Sequence, residues 1–204
     1  MINEAALAQA AKDGDLNAFN RLILEYQDMA YNVAYRLLSD PDGASDALQE
    51  AVISAYRSLQ QYRGGSFKAW LLRMVTNKCY DELRRRKRRP TVPLEPFDPE
   101  SEEELENPSW LADESPSTEE QIEEMDLEKA VQDCINHLPD EFRAVVVLVD
   151  LQAMDYQEAS DAIGKPLGTI KSRLARARLK LRDCLQRFGE LLPSMFRLEE
   201  EETR

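Results

Sequence analysis

The chain has 204 residues, with 39 Asp/Glu against 26 Lys/Arg, a formal net charge of -13 and 43% hydrophobic residues, enough apolar material for one large or two small packed units. A single histidine and three scattered cysteines, Cys79, Cys134 and Cys184, without a CxxC pair, offer no recognisable zinc spacing and little for general-base catalysis. No apolar run approaches the ~20 residues of a membrane span and the start has no basic stretch followed by an apolar one, so no membrane insertion is expected, and a cytoplasmic protein with reduced, structural thiols is.

Only 7 glycines and several long stretches of 3.6-residue periodicity argue for an all-α protein. Asp15 can cap a helix in which Leu16, Phe19, Leu22, Ile23 and Tyr26 recur at helical spacing, and a second periodic run passes through Ala30, Val33, Ala34, Leu37 and Leu38. Residues 39–43 read as a turn, SDPDG. The next helix, roughly 44–60, buries Leu48, Ala51, Val52, Ala55 and Leu59 and turns Asp46, Gln49, Glu50 and Ile53 outward on one stripe. An isoleucine among acids is either part of a protein interface or a stray apolar residue on a solvated face.

After a Gly-containing loop at 62–66, expected to be flexible, a helix over about 67–88 buries Leu71, Leu72, Val75, Cys79 and Leu83. Trp70, Asn77, Asp81, Arg84 and Arg88 lie opposite. Trp70 can stack on an unpaired base while arginines follow phosphates, or it can pack against the first two helices. Asp81 with Arg84 or Arg85 would make an ordinary helix pair. The window 68–89 holds nine Lys/Arg against Asp81 and Glu82, a local charge of +7.

Residues 90–118 carry six of the 10 prolines, and the overlapping stretch 95–128 carries 15 Asp/Glu and no Lys/Arg. This composition cannot form a packed core and reads as an acidic linker, spanning roughly 30 Å as a coil and about 95 Å fully drawn out. Trp110-Leu111 interrupts its polarity. The acidic net charge therefore conceals two basic modules, whose natural partner is nucleic acid.

The second module starts near Glu119 with a helix through Val131 and Ile135, ended by Leu138-Pro139, with Pro139 expected to open the next helix, 140–151. Residues 156–163 form a short helix, Gly164 supplies a positive φ, Pro166 prevents continuation and Thr169 can cap the last helix. That helix lies in 165–182, which holds seven Lys/Arg and no acid. Ile170, Leu174, Ala177 and Leu181 form its buried stripe. Ser172, Ala175, Arg176 and Leu179 face away, flanked by Lys171, Arg173 and Lys180, giving a basic face with small residues at its centre that can enter a groove. The turn signals and uninterrupted charge read as a helix-turn-helix, the alternative being an ordinary basic surface helix beside a helical hairpin. An acidic tail closes the chain.

Five segments in this order and spacing resemble bacterial sigma factors of the extracytoplasmic-function group, in the sigma-70 family: Asp46-Ala-Leu-Gln-Glu50, Phe67-Lys-Ala-Trp-Leu71, Asn77…Asp81…Arg84 with its basic end, Leu138-Pro-Asp-Glu-Phe-Arg143, and Gly168-Thr-Ile-Lys-Ser-Arg-Leu-Ala-Arg-Ala-Arg178. The resemblance covers about residues 14–89 and 119–185. It implies two small helical domains, residues 1–89 as region 2 and 119–188 as region 4, joined by the linker 90–118 and followed by the tail 189–204. It further implies a non-enzymatic transcription initiation factor, with no catalytic residue, metal or cofactor. Asp46, Gln49, Glu50 and Ile53 would grip core RNA polymerase. Arg63, Ser66, Phe67, Lys68, Trp70, Asn77, Asp81, Arg84 and Arg88 would meet the minus-ten element as opened single strand, the 63–68 loop cradling a flipped base above Asn77. Thr169, Lys171, Ser172, Arg173, Ala175, Arg176 and Lys180 would read the minus-thirty-five element as duplex. Members of this family are commonly held by an anti-sigma protein. Ala175 departs from the larger side chains expected at that position, so the promoter sequence of other members does not transfer. The competing reading, a stand-alone helix-turn-helix regulator, explains the second module but not the Asp46 stripe or the Trp70–Asn77 helix.

Overall fold

A computed structural model of the chain describes residues 3–88 and 118–191, and every regular element in them is helical. Helix α1 (Glu4–Lys12), which no periodic pattern announces, is capped by Asn3, whose side chain accepts from the Ala6 amide. Helix α2 (Leu16–Leu38) is capped by Asp15 as expected, but runs unbroken where the pattern suggests two periodic runs. It buries Phe19, Leu22 and Ile23 in its first half and Val33, Ala34, Leu37 and Leu38 in its second, so one apolar stripe spans both runs.

The SDPDG segment is less a turn than a helix start. Ser39 takes a left-handed conformation at φ 51°, Asp40 caps, and Pro41 opens α3 (Pro41–Ser58) with its missing amide where none is needed. Gly43 thus lies inside α3, where an added Cβ would sit 2.6 Å from an Arg86 guanidinium nitrogen and 2.7 Å from Asp40 Oδ2. Helix α4 (Phe67–Arg88) matches the expected span. Its start is capped by Ser66, which accepts from the Ala69 amide.

Helices α5 (Thr118–Asn136), α6 (Asp140–Val146), α7 (Tyr156–Ile163) and α8 (Leu167–Leu185) make the second module. Pro139 caps α6 rather than standing inside it, at ψ 142°, and α6 widens into a π-type turn over Val147–Leu151. Asp155 and Glu158 form a capping box on α7. Gly164 at φ 68° ends α7, its amide and that of Lys165 both closing on the Ser160 carbonyl at 2.8 and 3.2 Å. Pro166 caps α8, so Thr169 lies within its first turn and is not the cap.

The cysteine expectation is overturned for one pair. Cys134 on α5 and Cys184 on α8 are joined as a disulfide closing a loop of 50 residues. A separation of that size leaves no local pattern to read. Cys79 is a free, buried thiol, its pKa pushed up to about 12 by burial, which suits packing and not reactivity.

The two modules pack against one another. One apolar core runs from Ala8 in α1 through Leu37, Leu72 and Val75 to Ile135, Leu148, Ala159 and Ile170. Arg143 seals the seam. Its guanidinium is buried and donates to the carbonyls of Leu37 at 2.7 Å, Asn136 at 2.6 Å and Leu138 at 3.3 Å, so a cation from α6 sits at the negative ends of α2 and α5. Burial lowers its pKa. Around it, Gln132 donates to Ser39 Oγ at 3.0 Å and accepts from Arg36 at 2.8 Å. Residues 89–117, with Trp110-Leu111, and the tail from 192 lie outside the described residues.

Candidate nucleic-acid and polymerase interfaces

The stripe on α3 is as outward as its spacing implies: Asp46, Gln49, Glu50 and Ile53 are all exposed, Ile53 at 42%, while Ala47, Ala51 and Ala55 are buried against α2 and α4. Small alanines on the buried face let the helices approach, and larger groups are left to face solvent. Glu50 reaches across to Lys78 at 3.0 Å. Tyr56, one turn beyond Ile53 and 50% exposed, extends the apolar part of the stripe.

On α8 the buried stripe of Ile170, Leu174 and Ala177 fixes the opposite face. Lys171, Ser172, Ala175, Arg176 and Lys180 are exposed; Thr169 and Arg173 are half-buried. The cations divide into two sets. Arg173 pairs with Glu141, Arg178 with Asp150 at 2.6 Å and Arg182 with Asp183 at 2.8 Å. Arg176 and Lys180 have no ion-pair partner among the described residues, and Lys171 lies 5.7 Å from the centre of the Tyr156 ring. The unpaired positive charge is therefore concentrated on the outward face, where it is free to meet phosphate or a base edge.

Helix α4 differs. Phe67 is fully buried, and Trp70, half-buried, packs at 5.5 Å from it and 5.1 Å from Tyr62, ring centre to ring centre. The nominated Phe67 is thus a core side chain that anchors the loop instead of facing a ligand. The loop itself is tied down rather than flexible. Tyr62 donates to the Gly65 carbonyl at 2.6 Å, the Phe67 amide donates to Glu4 Oε2 at 3.0 Å, and Lys12 donates to the Tyr62 carbonyl. Gly64 and Gly65, both at φ 93°, make the bend. Glu4 also accepts from Tyr26, whose hydroxyl pKa is raised by burial and by that bond. Arg63, Ser66, Asn77, Asp81, Arg84 and Arg88 are exposed, with Asp81 and Arg84 paired at 3.1 Å. Lys68 is paired with Glu158 of α7 at 2.7 Å.

Further along α4, Glu82 holds Arg85 at 2.6 Å and Arg86 at 2.8 Å, and these bonds lower its pKa below the usual carboxylate range. Arg86 also meets Asp40 at 2.5 Å. Although burial pushes Asp40 up, the Gly43 amide and Arg86 bring it below its usual value. Lys87 reaches Asp140 at 2.6 Å. Sequence reasoning missed Glu4, Glu158 and Arg143, because each acts across a long sequence separation on residues that periodicity treats alone. No group of His, Cys, Asp or Glu able to hold a metal is present among the described residues, and none of their helices is long and apolar enough to cross a membrane.

The geometry gives two helical modules, one with an acidic and apolar outward stripe and one with a cationic outward face, and comparison with known proteins gives their class. Residues 22–89 match Sigma-70 region 2 and residues 128–181 match Sigma-70, region 4. The chain is 36% identical over 168 residues to the ECF RNA polymerase sigma factor SigE of Mycolicibacterium smegmatis, covering 82% of this chain and 62% of that protein's length. It is 32% identical over 186 residues to the ECF RNA polymerase sigma-E factor of Haemophilus influenzae, covering 91% of this chain and 96% of that one. Among solved structures, the sigma factor RpoE in complex with the anti-sigma factor NepR from Bartonella quintana superposes with a TM-score of 0.61 at 23% identity, over 83% of this chain and 98% of that one. The chain belongs to the extracytoplasmic-function sigma factors of the sigma-70 family, which are initiation factors and not enzymes.

Proposed function

We propose that this protein binds core RNA polymerase and directs it to a defined set of promoters from the cytoplasm, reading the minus-thirty-five element as duplex through α8 and the minus-ten element as opened strand through α4. The observation that carries the reading is the pair of surfaces left open on one chain. These are an acidic and apolar stripe on α3 suited to a protein, and a cationic face on α8, unpaired among the described residues, suited to DNA. In this reading Asp46, Gln49, Glu50 and Ile53 hold polymerase. Arg176 and its neighbours read base edges and phosphates in the major groove. Asn77, Arg84, Arg88 and the 63–68 loop receive the opened strand, with Trp70 stacking on a base from the rim of its aromatic cluster and Phe67 fixing the loop from below. An anti-sigma protein covering the α3 stripe and α4 belongs to the same proposal. So do domain limits of 1–89 and 119–188, with the acidic segment between them as the connection.

The test is transcription by core polymerase, with and without this protein, on fragmented genomic DNA, followed by sequencing of transcript starts. A shared pair of upstream elements among the starts that depend on the protein is expected. Duplex binding without any polymerase-dependent transcript would instead select the stand-alone regulator.

A further inference from the structure

The two DNA-reading helices are not equally available. Elements centred near positions minus ten and minus thirty-five lie about 85 Å apart along B-form DNA, whereas a packed body of this size has a radius of gyration of about 15 Å. The arrangement in which both modules share one core therefore cannot occupy both elements, and one face must be uncovered first.

The contacts say which. Helix α7, the first helix of the helix-turn-helix, lies on α4, and Glu158 accepts from Lys68 at 2.8 Å and from Ser66 Oγ at 3.4 Å. Two side chains nominated for the minus-ten strand are thus held by a carboxylate, the group that most resembles a backbone phosphate in charge and in hydrogen-bond acceptance. The Lys68 and Glu158 side chains are only 21% and 24% exposed. Arg73 of α4 lies under the turn, its guanidinium within about 4 Å of where a Cβ on Gly164 would sit. Lys87 is held by Asp140 of the same module. The outward face of α8, by contrast, is not held by a carboxylate among the described residues: Lys171, which lies over the Tyr156 ring of α7, and Ser172, Ala175, Arg176 and Lys180 stay exposed in the same closed arrangement.

We infer that the helix-turn-helix doubles as a lid on the single-strand site, with Glu158 standing in for a DNA phosphate, so that the free protein is competent for duplex DNA but closed to unpaired strand. Engagement is then ordered: the duplex is met first, and the minus-ten strand only after α7 leaves α4. This rests on the proposed assignment of α4 to single strand and α8 to duplex.

The test uses the full chain, a fluorescent mixed-sequence single-stranded 12-mer and a duplex of mixed sequence, with binding followed by anisotropy. Glu158→Gln keeps an acceptor for the α7 capping box but removes the charge that competes for Lys68. Asp161→Asn removes an equal charge from the same helix at a residue whose side chain accepts from Gln157, on α7 itself. Glu158→Gln should tighten single-strand binding by about fivefold, the scale of one partly screened ion pair, with duplex binding within twofold of wild type; Asp161→Asn should leave the ratio unchanged. Equal tightening on both probes by both variants would reduce the effect to net charge and overturn the lid, as would no change on either.

A second measurement needs no variant. Carbodiimide should join Lys68 to Glu158 in the free protein, and saturating single strand should suppress that link while duplex does not. A yield indifferent to the single strand would also overturn the proposal. Transcription with core polymerase, run in parallel, separates the two failures. If wild type directs initiation yet the probes do not discriminate, the lid fails and the function stands; if it directs none, the function fails.

Discussion

Helices α4 and α8 come from windows of equal local charge, +7 each in the sequence, and the fold treats them in opposite ways. Carboxylates from four other elements or caps reach α4: Glu50, Asp40, Asp140 and Glu158 take Lys78, Arg86, Lys87 and Lys68. On α8 the paired cations sit to the sides, and the outward-facing ones are left without carboxylate partners among the described residues. Formal charge along a helix is thus a poor guide to the field it presents. What decides is whether the surrounding helices bring acids to the same face, and that depends on tertiary packing.

The largest expected effect concerns how each helix is anchored. The α8 C-terminal end is held covalently to α5, and a 50-residue loop closed by Cys134–Cys184 corresponds to about 4 kcal/mol of denatured-state chain entropy at room temperature. Cys184→Ser, or reduction of the wild type, should lower the denaturation midpoint of the oxidised protein accordingly. Equal midpoints with and without reductant would mean that the bond contributes nothing.

Next comes the outward face of α8, proposed to read duplex DNA. Arg176→Ala should cost about 1 to 3 kcal/mol of discrimination at one base pair. Lys180→Ala should weaken all duplexes alike and reduce the salt slope by about one. Superimposable specificity profiles for wild type and Arg176→Ala would remove Arg176 from base readout.

A smaller change is expected on α3, where the double replacement Gln49→Ala, Glu50→Ala should weaken polymerase binding by about 1 kcal/mol with unchanged circular dichroism. Part of that readout passes through Lys78, which loses Glu50. Unaltered retention of the double variant on immobilised core polymerase would exclude the stripe.

The smallest effect is acid sensitivity at the quenched end of α4. Asp40 and Glu82 have folded pKa values below their usual ones. The stability they confer is therefore fully present above the ordinary carboxylate range and is lost as pH falls through the depressed values. Melting temperature measured from pH 6 to pH 3 should fall more steeply in wild type than in Arg86→Met, in which both carboxylates lose that partner. Parallel curves would show that the cluster is energetically idle.

Much of this is legible in the sequence. The α4 and α7 spans, the positive φ at Gly164 and the outward placement of Ile53 and Arg176 come from periodicity and turn chemistry, which act within a few residues. The features that escape such reasoning act across the chain. Phe67 is chemically suited to a base stack, and only its neighbours Tyr62, Trp70 and Tyr26 reveal it as core. Helix α1 is short and alanine-rich, with little apolar periodicity to announce it, yet Glu4 and Lys12 fix the loop before α4. The seam between modules is made partly of polar side chains that periodicity assigns to solvent, so local patterns alone do not show that the two modules pack together.

Arg143 carries one more consequence. A buried guanidinium that bridges the α2 and α5 carboxyl ends, inside an apolar core common to both modules, makes neither module's packing independent of the other's. The free protein should therefore unfold as one cooperative unit, with calorimetric and van't Hoff enthalpies that agree. If the modules separate on a promoter, as the proposed function requires, that cooperativity is lost, and each half must draw from polymerase and DNA the stability its neighbour supplied before.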